Sequence, residues 1–225
     1  MNDIQLLAEI VRRQKALDKR ISRLETLEFS SYIGGWVEIE TITANAPLWS
    51  FVFEDIPQTF LHLALLISAR LNGQGCGAMK MILNGDDEES YWFNTHSLGG
   101  DVGACTHSCF EIFGIGEFEA YIHIGDIPGD SVTHEEIFAD LFNSETLWLL
   151  DYRCDEKRKS CHWDNETVCP EAGEIPAAKF RQLGGGFWHE LDAIEEIEIY
   201  IGGAATFAQN SKMSLYGIGG DFKCF

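Results

Sequence analysis

Two hydrophobic periods divide the chain. From Ile4 to Leu27 there is neither Gly nor Pro, and Leu7, Ile10, Gln14, Leu17, Ile21 and Leu24 recur at alternating steps of three and four. That spacing keeps one seam facing a partner helix and predicts a short coiled coil, with Leu7, Gln14 and Ile21 in one core column and Ile10, Leu17 and Leu24 in the other. A helix of this length is marginal alone in water, so the seam predicts self-association, with three strands favoured. Gln14, the one polar seam residue, would set register through its amide. The competing reading is an amphipathic helix laid on its own domain, which would need a wider apolar face.

After Leu27 the period falls to two. Trp36-Val37-Glu38-Ile39-Glu40-Thr41-Ile42 alternates apolar and polar residues as a half-buried strand does, and similar segments follow at 48–53, 60–71, 78–83, 110–115, 118–124, 146–152, 194–201 and 212–218. Asn84-Gly85-Asp86-Asp87, Gly99-Gly100-Asp101 and Gly184-Gly185-Gly186 read as breaks between strands. One helix is expected at 134–142, behind a Thr133 cap. Eight to eleven strands without interposed helices predict antiparallel pairing in two packed sheets. The expected fold is therefore all-β, a jelly-roll-like two-sheet sandwich over 29–225, preceded by the coiled coil at 1–28.

Charge sharpens this division. Six of the sixteen Lys and Arg, but only five of the thirty-six Asp and Glu, lie in the first 28 of 225 positions. The first segment is near neutral and the remainder, with 10 basic and 31 acidic residues, carries −21 against a net −20, which makes a polyanion such as nucleic acid a poor partner. No apolar run approaches the ~20 residues of a membrane span, and no basic-then-apolar leader opens the chain. Neither a membrane nor a secretion route is expected, and no cofactor is implied.

Candidate chemistry is sparse. Phosphate-loop, serine-hydrolase elbow and H-E-x-x-H patterns are absent from the sequence. Glu38-x-Glu40 and Glu195-Glu196-x-Glu198 put acids at strand spacing, which suits either a glycosidase pair or, more simply, a solvated face. The acidic turn Asp86 to Glu89 lacks the alternating pattern of a calcium loop and reads as solvated. Seven cysteines leave at least one unpaired within the chain. Cys105, His107 and Cys109, with Cys154, Cys161, His162 and Cys169, leave three readings open, namely free thiols, disulfides or a zinc site. Trp92, Trp163 and Trp188 stand beside turn-like segments, where a ring could stack on a sugar, although packing in the core is the plainer role.

One ordered set of strings carries a resemblance. It comprises Asp55-Ile56-Pro57-Gln58-Thr59-Phe60-Leu61-His62-Leu63, Leu83-Asn84-Gly85-Asp86, Ala193-Ile194, then Phe207, Ser211 and Ser214-Leu215-Tyr216-Gly217-Ile218. In order and spacing it resembles a group of tailed-bacteriophage virion proteins in which a short N-terminal helix precedes a β-sandwich ending in such a strand. The resemblance implies a non-enzymatic structural protein of the virion, commonly trimeric, that decorates the capsid or forms a fibre. It implies other virion proteins as partners; a host surface glycan, in a carbohydrate-binding or host-receptor module, is the alternative that Trp92, Trp163 and Trp188 motivate. The cysteine-rich stretch from Cys154 to Cys169 and the strong negative charge depart from that group.

Overall fold

The computed structural model describes residues 35–73, 75–100, 109–113, 119–129, 142–169 and 178–219. Twelve strands occupy them: β1 Trp36–Thr43, β2 Ser50–Phe53, β3 His62–Ser68, β4 Cys76–Leu83, β5 Tyr91–Gly100, β6 Cys109–Phe113, β7 Ile122–Pro128, β8 Ser144–Leu150, β9 Lys159–Cys169, β10 Ala178–Trp188, β11 Ile197–Ile201 and β12 Lys212–Ile218. They form an eight-stranded sheet, β1-β12-β3-β8-β9-β10-β5-β6, and a four-stranded one, β2-β11-β4-β7, with every pairing antiparallel. The expected two-sheet sandwich is thus the observed one. The expected coiled coil and the whole seam from Leu7 to Leu24 lie outside the described residues, as does nearly all of the helix expected at 134–142.

The alternation explains which face of each strand is inside. Leu63, Leu65 and Ile67 of β3 are buried, as are Met79, Met81 and Leu83 of β4 and Ile197, Ile199 and Ile201 of β11. Phe51 and Phe207 meet edge to face, with ring centres 4.9 Å apart, and both are fully buried. Burying one such side chain contributes about 1.5–3 kcal/mol, so this interdigitation is what closes the sandwich here.

Three strands of the large sheet, β5, β9 and β10, depart from the sequence expectation. Gly99-Gly100 and Gly184-Gly185-Gly186 do not break the chain; they lie within β5 and β10. The reason at β10 is a close approach. A Cβ on Gly184 would come within 2.1 Å of the Trp163 ring, and one on Gly186 within 2.9 Å of Phe93 Cβ. The Trp163 ring of β9 and the Trp92–Phe93 backbone of β5 occupy the space that side chains of β10 would fill. The seventh strand also runs further than the alternation suggested, to Pro128, with a register shift at Met79/Lys80 that leaves Ile124 without a partner on β4 and interrupts the alternation there.

Candidate functional site

The tryptophans separate into two roles. Trp163 and Trp188 are each only 2% exposed, so neither offers a ring to a ligand, a correction to the sugar-stacking expectation. Inward parity on β9 and β10 puts them between the sheets, where the Trp188 Nε1 donates to Asp86 Oδ2 (2.7 Å) and the ring stacks on Tyr91. That bond, with a second from Glu88 N to Asp86 Oδ1 (3.1 Å), commits Asp86 to holding its turn. Trp92 points outward, is half-buried and stacks on Phe187 (ring centres 5.5 Å). The Arg158 guanidinium lies 6.0 Å from the Phe187 ring centre and 2.7 Å from His189 Nε2.

The zinc reading of the Cys154–Cys169 stretch fails among the described residues. Cys154 and Cys161 are buried free thiols, and His162, next to Cys161 on a strand, faces the opposite side of the sheet. Burial pushes the Cys161 thiol up to about 12, which keeps it neutral and a poor metal ligand. No group of three His, Cys, Asp or Glu able to hold a metal is assembled among the described residues. Cys76 is disulfide-bonded. Cys105 and His107 lie outside the described residues, and of Cys109 and Cys169 only the backbone is described.

The Glu38–Glu40 pair does not keep the geometry its spacing suggested. A bulge between Glu38 and Glu40 sets them opposite Tyr216 and Leu215, consecutive residues of β12, so the two carboxyls do not share a strand face as the spacing suggested. Burial, with the charges of Glu54 and Glu198, raises the Glu196 carboxyl above the ordinary range.

The most unusual chemistry is a buried polar row that sequence reasoning passed over. Glu145 of β8 lies directly opposite Asn165 of β9, which lies directly opposite Gln182 of β10. All three are at most 3% exposed and point between the sheets. Asp126 of β7 closes over them from the small sheet. Its backbone N donates to Gln182 Oε1 (2.8 Å), its carboxylate accepts from Gln182 Nε2 (2.6 Å), and its carbonyl accepts from Asn165 Nδ2 (2.8 Å). His123 Nε2 stands 3.4 Å from the other carboxylate oxygen. Asn143 extends the row toward β3, exchanging two hydrogen bonds with the backbone of Ala69.

Gly125 permits this closure. It sits at φ +143°, and a Cβ there would fall 2.3 Å from Asn165 Nδ2 and 3.1 Å from Glu145 Oε2. Comparison of the chain with protein-family models, curated proteins and solved structures gives no match. What the site can do is therefore read from its own atoms. Neither Glu145 carboxyl oxygen has a hydrogen-bond partner, nor do Thr95 Oγ1, Thr167 Oγ1 and Trp163 Nε1 on the same inner face. Burial, with the charges of Asp126 and Asp164, holds the Glu145 carboxyl well above the usual carboxylate range, which favours its protonated form. A carboxyl group sealed from solvent does not meet a substrate; its place is in the joint between the sheets. The signal was present in Ser144-Glu145-Thr146-Leu147-Trp148-Leu149-Leu150, where Glu145 shares parity with Leu147 and Leu149 and so must point inward with them.

Proposed function

We propose that the chain is a non-enzymatic structural protein of a tailed-phage virion surface, a homotrimeric capsid-decoration or fibre protein. In this reading residues 4–27 align three copies, and the jelly-roll-like sandwich meets other virion proteins.

The observation that carries it is where the strings bearing the resemblance fall. Most of them, the segments 55–63, 83–86, 193–194 and 214–218, are far apart in sequence and meet at one end of the sandwich, whereas Phe207 and Ser211 pack at the other end, against Leu48 and Arg70. Asn84 Oδ1 accepts from the backbone N of Glu195 (2.8 Å) and Glu196 (3.0 Å), and Asn84 Nδ2 donates to Ala193 O (2.8 Å). Gln58 Nε2 donates to the carbonyls of Ile194 (2.8 Å) and Ile56 (3.0 Å). Phe60 packs on Gly217, where a Cβ would fall 2.2 Å from its ring, and the Tyr152 hydroxyl donates to Pro57 O. A set of strings that builds one structural node supports a shared scaffold, because each string needs the others to be satisfied. The scaffold together with the heptad seam supports assembly rather than turnover as the role.

Sedimentation of the full chain at micromolar concentration tests the oligomer, with a mass three times 25.3 kDa expected. A monomer overturns the trimer. Gold-labelled antibody against the chain tests the location, with label on intact particles from cultures that express it. Label confined to the soluble fraction overturns the virion assignment.

A carbohydrate-binding or host-receptor module remains the second reading, supported by the outward Trp92–Phe187 stack beside Arg158. Its test is a glycan array on which the intact protein binds and Trp92→Ala does not; equal binding by both removes it.

A further inference from the structure

The outer face of the large sheet is not uniform, and the difference points to where copies of this chain touch. Trp36 leaves the edge strand β1 and reaches across the sheet, with its ring 5.1 Å from Trp148 on β8 at an 83° angle and 5.7 Å from Tyr216 on β12. Ala64 of β3 lies opposite both Tyr216 and Trp148 and is fully buried, although its neighbours Leu63 and Leu65 mark it as outward by parity. The three rings thus form a small apolar layer outside the sandwich. Trp36 remains 45% exposed and Leu66, next outward on β3, 37% exposed.

Charge marks the same area. The protein has thirty-six acidic residues, yet the outward positions of β12, β3 and β8 include no Asp or Glu and a single formal charge, Lys212, and β1 adds one acid to the face, the exposed Glu38 opposite Tyr216. The next two strands differ, with Asp164, Glu166 and Arg181 outward on β9 and β10. Two molecules of net charge −20 approach with least repulsion through a face that carries almost none of that charge, and an aromatic, charge-poor patch is what interface centres are made of.

We propose that the Trp36–Tyr216–Trp148–Leu66 face packs against a second copy of this chain. The inference rests on the trimeric reading above and names the surface it uses. Strand spacing and rise give the face of four strands roughly 400 Å². That is about half of the ~800 Å² per partner of a stable standard-size complex, so the face alone does not hold two chains together. In the trimeric reading the heptad seam supplies the rest. Residues between Leu27 and Trp36 span at most about 30 Å, so a seam that joins chains holds their Trp36 faces at high effective concentration.

Sedimentation of the full chain over a nanomolar-to-micromolar dilution series tests this, comparing wild type with Leu66→Glu and Leu183→Glu. Leu183 is the matched control, 36% exposed on the outer face of the same sheet but on β10. The expected result is a dissociation midpoint raised at least tenfold by Leu66→Glu and unmoved by Leu183→Glu. Leu66→Ser, which adds no charge, shifts it less and in the same direction. Equal behaviour of Leu66→Glu and Leu183→Glu, whether both weaken association or neither does, overturns the surface and leaves the trimer standing. Wild type that is monomeric throughout overturns surface and trimer together. Leu66→Glu with unchanged mass but reduced far-ultraviolet helical signal overturns it too, and gives the face to the chain's own first thirty residues.

Discussion

The two halves of the sandwich close by different chemistry. Where β2, β11 and β4 meet β12 and β3, the interior is Phe51, Phe207, Met79, Leu65, Ile199 and Met213, all at most 1% exposed. Where β7 meets β8, β9 and β10, the joint is the row Glu145, Asn165 and Gln182, of which Asn165 and Gln182 are hydrogen-bonded to Asp126. Apolar packing tolerates small slips, because dispersion and burial have little direction. The Asp126–Gln182 pair does not, since one register satisfies both of its hydrogen bonds. The polar half therefore specifies how the sheets sit, at the cost of atoms that must be satisfied, and the apolar half supplies most of the cohesion.

That contrast is open to attack from either side. The largest effect is expected in the apolar half, where Phe207→Ala removes a ring that packs on Phe51 and sits between Leu48 and Leu71. It should lower the unfolding free energy by about 3–5 kcal/mol in denaturant titration, and a loss under 1 kcal/mol would break the assignment of cohesion to this half. In the polar half, Asn165→Ala leaves the Asp126 carbonyl and Gln182 amide oxygen short of a donor and should cost about 2 kcal/mol. Faster amide exchange in β7 than in β11 would accompany it; uniform exchange would argue that the joint does not act as a unit.

Gly184→Ala lies between the halves. Its methyl would meet the Trp163 indole at 2.1 Å, so a cost of about 1–3 kcal/mol and an altered tryptophan emission are expected. Unchanged emission would show that the ring does not lie where β10 requires a glycine.

The smallest effect has the opposite sign. The Glu145 carboxyl binds its proton more tightly in the folded chain than in the unfolded one, because burial and the Asp126 charge oppose ionisation. Its contribution to stability is therefore complete below the ordinary carboxylate value of 4.5 and declines as pH rises toward the folded-state value. Glu145→Gln keeps the shape without the titration, so its thermal midpoint should fall less than wild type's between pH 4 and pH 8. Parallel pH profiles would show that this carboxyl is not held neutral.

Legibility in sequence followed the same line between the halves. β11 and β12 were readable because their inward apolar residues alternate with mostly polar ones, β3 and β4 because they are short, largely apolar runs, and Asn84-Gly85 was readable as a turn because both residues take positive φ there. β9 was not, since its inward residues run Cys161, Trp163, Asn165, Thr167 and the apolar period stops halfway. In β10 the glycines imitate a break, although Gly184 is small to admit the Trp163 ring and Gly186 to admit the close-lying backbone of β5.

From residue order alone came the change of period after Leu27, the antiparallel two-sheet class, the uneven charge and the inward parity of single residues. These are local properties, set by side-chain spacing and backbone sterics within a few positions. Only the folded arrangement decided that Trp163 and Trp188 are buried, that Glu38 and Glu40 part at a bulge, and that Glu145, Asn165, Gln182 and Asp126 share one joint. Each of those depends on strand register between segments distant in sequence, and register is chosen by all the pairings of a sheet together.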